Sequence, residues 1–231
     1  MPFVLTLACL TIGICAMTAT GQQPFPEPSF FGFLVTGKNP PKATKEEIQT
    51  YQRAHIDNFK RLFELRKLAT AGPMADPDKT KRGILVLTAR TKEEIPPLFV
   101  SDPYVSKGFM ELQLHPIKVE FGRINTEGID PNGIEENRIV IFTAPKEAKL
   151  DLGAIARQRE YVRAGSQSAG LAFYAASKDE SEVRAIALFL GKNDEAIQKW
   201  ADASPLASSG VKPVKMPQWL GKGILVVPSS K

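Results

Sequence analysis

RGILVLTARTKEEIPPLFVSDPYVSKGFMELQLH at residues 82–115 returns 102 positions later, without a gap, as RAIALFLGKNDEAIQKWADASPLASSGVKPVKMP at residues 184–217. Arg82 pairs with Arg184, Ile84 with Ile186, Glu93 with Glu195, Ile95 with Ile197, Pro103 with Pro205, Ser106 with Ser208 and Gly108 with Gly210. Seven identities in 34 positions exceed the roughly two that unrelated segments of ordinary composition would share, and strand, helix and turn signals also fall in step. The chain therefore reads as an internal duplication.

Outward from this pair, each copy shows the same order. In the first, FFGFLVT at 30–36 is an apolar strand-like run, and KNPPK at 38–42 forms a turn. Thr44 and Glu47 then give a capping-box signature, and Ile48, Tyr51, His55, Phe59, Leu62 and Phe63 recur at helical spacing. This helix is expected to end near Leu68, before a short extended piece at 69–75. RGILVLTA at 82–89 is a buried strand, a second helix is expected over 91–100, and FMELQLHPI at 109–117 closes the unit as a strand. In the second copy, strands are expected at 138–144, 171–177, 184–190 and 211–216, with helices at 150–166 and 192–201.

The order β-α-β-β-α-β, twice, defines an α+β chain of two tandem ferredoxin-like units. Helices on one face of a four-stranded sheet leave the other face bare, so two units packed face to face would cover each other as an internal pseudo-dimer. The chain divides into a leader at 1–20, a Pro-rich linker at 21–29, unit 1 at 30–122, a polar linker at 123–137, unit 2 at 138–222 and a tail at 223–231. GILVV at 223–227 reads as an added edge strand of either sheet.

Residues 2–19, PFVLTLACLTIGICAMTA, carry no charged side chain and read as a signal peptide, with small residues from Ala16 to Gly21 fitting a cleavage site. This points to an exported protein, with an uncleaved N-terminal anchor as the alternative. Both cysteines, Cys9 and Cys15, lie in that segment, so cleavage leaves no thiol for a disulfide or a metal. A net charge of +5 suggests anionic partners, but the 43–69 helix mixes Lys45, Arg53, Lys60 and Arg61 with Glu46, Glu47, Asp57 and Glu64. Mixed signs make a solvated face, which argues against nucleic acid.

His55 in the first helix, AGPM at 71–74, the RGILVLTA strand and SDPYVSKG at 101–108 together resemble the YCII-related family over residues 30–121. The resemblance implies a dimeric α+β barrel, here built within one chain, or a dimer of such chains. It also implies a His/Asp catalytic pair, carried onto His55 and Asp102, and some relatives act on small aromatic or halogenated rings. The residues themselves are compatible: His55 lies on the apolar stripe between Tyr51 and Phe59, and Asp102 could fix one ring nitrogen while the other acts as base. Equally, His55 reads as a satisfied core histidine and Asp102 as a turn cap. Tyr104, Ser106 and Tyr51 are the candidate substrate-binding residues around the pair, and Trp219 a candidate wall.

Unit 2 departs from this pattern, since Asp102 aligns with Ser204 and no histidine follows His115. An enzyme would then have one site per chain, with cofactor-independent lyase or isomerase-type chemistry on a small cyclic or aromatic molecule held between the sheets. The alternative is a non-catalytic ligand-binding or scaffold module of the cell envelope. Two histidines without thiols give no metal spacing, and GKG at 221–223 lacks the strand-to-helix setting of a phosphate loop, so neither a metal nor a cofactor is expected.

Overall fold

The run FFGFLVT forms β1 (Phe30–Thr36), with Phe31, Phe33 and Val35 on one face and Phe30 and Leu34 on the other, all buried. A strand apolar on both sides needs cover on both sides. A curled sheet supplies it, with one core inside the curl and helices outside. The computed structural model describes residues 24–130, 133–165 and 169–229, so the leader expected at 1–20 lies outside the described residues.

The chain continues through α1 (Lys45–Glu64), β2 (Leu68–Pro73), β3 (Lys81–Leu87), 3-10 turns at Lys92–Glu94 and Pro96–Phe99, α2 (Pro103–Ser106) and β4 (Met110–Gly122). Then follow β5 (Ile134–Thr143), α3 (Leu152–Gly165), β6 (Leu171–Ser177), β7 (Val183–Phe189), α4 (Asp194–Asp202), α5 (Pro205–Ser208) and β8 (Lys212–Gly221). All eight strands lie in one antiparallel sheet, ordered β2-β3-β1-β4-β6-β7-β5-β8. β4 serves both halves, because Met110–Pro116 pair with β1 and Ile117–Gly122 with β6. At the other seam Met74 bridges Gln218, and the Ala75 amide donates to the Pro217 carbonyl at 3.0 Å. The sheet thus nearly closes on itself. Gly72 permits the seam, since a Cβ there would overlap the Trp219 carbonyl oxygen.

Every strand sends side chains into the shared interior, among them Phe31, Ala69, Ile84, Ile117, Ile141, Phe173, Ile186 and Leu220. The outer face of the first half packs Leu34, Leu85, Leu87 and Leu114 against Leu62 of α1, with Phe99 completing the cluster. That of the second half packs Val140, Phe142 and Phe189 against Val162, Ile197 and Trp200.

Several expectations are corrected. The inner faces of the halves do share one interior, but the halves are not separate sheets; they also join edge to edge along β4–β6 and β8–β2, because β4 and β8 run on to Gly122 and Gly221, beyond their apolar runs. No α-helix spans 91–100. Pro96 and Pro97 have no amide hydrogen to donate to the i−4 carbonyls, so the segment cannot run on as one α-helix and turns instead as two short 3-10 stretches that meet at Ile95. Helix α1 stops at Glu64, where Arg66 turns left-handed at φ 58°, rather than near Leu68. Segment 223–227 makes a single bridge, Ile124 to Leu225, and Ile224 and Leu225 plug the interior instead of extending a sheet edge.

Candidate functional site

Helix α1 begins at a complete capping box: the Glu47 amide donates to Thr44 Oγ1 at 3.2 Å, and the Thr44 amide to Glu47 Oε2 at 2.7 Å. From that start the 3.6-residue period turns His55, Asn58 and Leu62 inward. Asp102 arrives from the opposite side as the N-cap of α2, its Oδ1 accepting the Tyr104 amide at 3.0 Å. With one oxygen so held, Oδ2 is aimed at His55 Nδ1, 2.6 Å away. The pair is buried, at 7% exposure for His55 and 0% for Asp102. A carboxylate can only accept, so Nδ1 carries the proton and Nε2 is the ring nitrogen left for the adjoining cavity.

Two residues missed in the sequence reading position the carboxylate. Asn58 Oδ1 accepts from Ser101 Oγ at 3.0 Å and from Arg61 Nη2 at 2.7 Å, and Arg61 Nη2 also reaches the Leu98 carbonyl at 2.7 Å. They tie the segment before Asp102 to α1. The available signal was a polar residue, Asn58, one turn after His55 on a buried helix face.

Beside the imidazole lies a cavity of about 340 Å³. Helix α1 contributes Gln52, Ile56 and Phe59, and the seam contributes Gly72, Trp219 and Leu220. It lies between α1 and the sheet beside the β2–β8 seam, lined by Leu34, Ala71 and Met110 of the outer face and reaching Ile84 and Leu220, whereas the expectation placed the ligand between the sheets. Phe59 and Tyr104 flank His55 at ring-centre distances of 4.2 and 5.2 Å. The Tyr104 hydroxyl donates to Gln52 Oε1 at 3.2 Å. Burial, and then the Asp102 carboxylate, raise its pKa, which keeps it a neutral donor. Ile134, 74% exposed, and Ile56, 40% exposed, give the cavity an apolar rim.

The structure thus brings together His55, Asp102 and Tyr104 but not the other two candidates. Tyr51 lies outside the cavity lining, its ring 5.7 Å from Phe109 with Lys107 Nζ 5.4 Å above it. Ser106 is exposed on α2 and does not line the cavity either. His115 points into the barrel near Phe33 and shares a 3.0 Å hydrogen bond with Ser181. In the second half Ser204 caps α5 as Asp102 caps α2, while Gln158 of α3 accepts the Leu206 amide at 3.2 Å. Helix α3 carries no histidine, and its buried polar residue is Gln158. Among the described residues no group of three or more His, Cys, Asp or Glu gathers to hold a metal, and no helix is long and apolar enough to cross a membrane.

No family model matches the chain, and no curated protein matches it. Solved structures do resemble it. A heme-binding protein from Thermus thermophilus superposes with a TM-score of 0.50 at 6% identity, covering 85% of this chain and 91% of that one. A proposed monooxygenase from Fusobacterium nucleatum gives 0.49 at 8%, covering 89% and 99%. Another from Lactobacillus acidophilus gives 0.47 at 12%, covering 88% and 100%. At such identities the likeness concerns the fold: a mixed α+β chain with an eight-stranded, nearly closed antiparallel sheet of the dimeric α+β barrel type.

Proposed function

We propose that the chain is a YCII-like, internally duplicated protein in which His55, oriented by Asp102, performs cofactor-independent acid–base chemistry on a small cyclic or aromatic molecule. One observation carries this reading: a buried imidazole with one nitrogen held by a fully buried carboxylate, and the other left for an apolar, aromatic-lined cavity. In the proposed step Nε2 takes a proton from one position of the substrate, and the imidazolium, stabilised by Asp102, returns it at another or to a leaving group. Duplication is supported by the matching strand orders of the halves, β2-β3-β1-β4 and β6-β7-β5-β8. The N-caps Asp102 and Ser204, and the left-handed Gly108 and Gly210, fall at equivalent positions as well. Both halves come from one polypeptide, so the site needs no second copy.

A non-catalytic binding module is the second reading, favoured by the other half, where Ser204 stands in place of Asp102 and no histidine occurs. Thermal-shift screening of single-ring phenols, quinols and lactones tests the pair's role. Asp102→Asn keeps an oxygen for the Tyr104 amide, but its NH2 group makes Nδ1 an acceptor and moves the ring proton to Nε2. Ligands that stabilise the wild type should lose most of their effect in Asp102→Asn and His55→Ala, each still cooperatively folded without ligand. Equal shifts in all three proteins would remove the pair from function.

A further inference from the structure

Between Leu34 and Val35 the pairing of β1 with β3 slips: Leu34 opposes Gly83 and Val35 opposes Lys81, which leaves Arg82 as the extra residue of a β-bulge. A bulge re-aims its side chain, and Arg82 lines the same cavity as His55. The second half repeats the geometry, since Phe142 opposes Ala185 and Thr143 opposes Val183, placing Arg184 at the bulge. There the guanidinium is consumed: Arg184 is buried, and its Nη2 donates to the carbonyls of Pro145, Lys146 and Ala148 at 2.8, 3.2 and 2.9 Å. Arg82, by contrast, is exposed at the cavity, and no hydrogen bond or ion pair with a described residue engages its guanidinium. Apart from the titratable His55, it is the one charged side chain among the described residues lining the cavity, and no carboxylate lines it.

We propose that Arg82 is an anion-binding residue of this cavity, and that its ligands are single-ring aromatic molecules bearing a carboxylate. The planar guanidinium offers parallel donors that match a carboxylate, while Phe59, Trp219 and Ile56 take the ring. About 340 Å³ sits at the small end of ligand pockets, which suits one ring and its substituents. The inference rests on the cavity being a ligand site, as in the function proposed above, but not on His55 acting as a base.

Salicylate and its uncharged analogue salicylamide serve as probes, with binding measured calorimetrically on the full chain. The wild type should prefer salicylate, and Arg82→Gln should weaken salicylate about tenfold or more while leaving salicylamide unchanged. Arg82→Lys, which keeps the charge but loses the fork, should fall between them. Equal affinity of the wild type for both probes, unchanged salicylate affinity in Arg82→Gln, or no salicylate binding by the wild type would each overturn the proposal. His55→Ala separates the two readings. If it binds salicylate as the wild type does while Arg82→Gln does not, the anion site stands and the role of His55 falls.

Discussion

Asp102 does two things at once, and that decides how much of its chemistry was legible. As an N-cap ahead of Pro103 it follows from local sequence, whereas its 2.6 Å contact with a histidine 47 residues away depends on the whole first half folding. The pair emerged in the sequence only through a family resemblance, while Asn58 and Arg61, which hold the segment before Asp102, gave no motif. The other histidine offers a residue-scale check. Burial in the barrel pulls the His115 pKa below its ordinary value near 6.5; Asp179 opposes this, while Lys92 and Lys81 add to it. The unfolded chain then binds a proton that the folded chain resists, so stability is full above about pH 6.5 and declines as pH falls toward the depressed folded value. Urea unfolding across this range should show a decline in the wild type that His115→Gln flattens. Parallel curves would contradict the assignment.

Elements whose signals are local were readable, and those made by distant pairing were not. The capping box of Thr44 and Glu47 starts α1, and FFGFLVT and LAFYAAS become β1 and β6 with the expected ends. The helix expected over 91–100 failed because KEEI resembles a first turn until Pro96 and Pro97 interrupt it. The tails of β4 and β8, KVEFG and PQWLG, carry charge, Pro and Gly and look like linker, yet both are strand: β6 of the other half pairs with the first, and the N-terminal end of β5 pairs with the second, which Met74 also bridges at Gln218. The same long-range pairing hides the bulge at Arg82. Gly72 tests the β2–β8 seam at this scale. Gly72→Ala drives a methyl into the Trp219 carbonyl, so urea denaturation should show a loss of roughly 1–3 kcal/mol, with weaker ligand binding where Trp219 walls the cavity. An unchanged midpoint would mean that the seam is loose.

At the scale of the molecule, repetition was plain in the sequence, but the way the halves meet was not. The need to cover a bare sheet face predicted the shared interior of the two halves, but not that their edges also join and pair the backbone at both seams. The consequence for function is that the cavity beside His55 is walled by β8 and rimmed by Ile134, both from the second half. A first half alone has neither a closed interior nor a complete site. Equilibrium urea unfolding, followed through Trp200 and Trp219 fluorescence in the second half and the His55 ring NMR signal in the first, tests this most directly. One shared midpoint is predicted for both probes; two separate transitions, one for each half, would contradict the account.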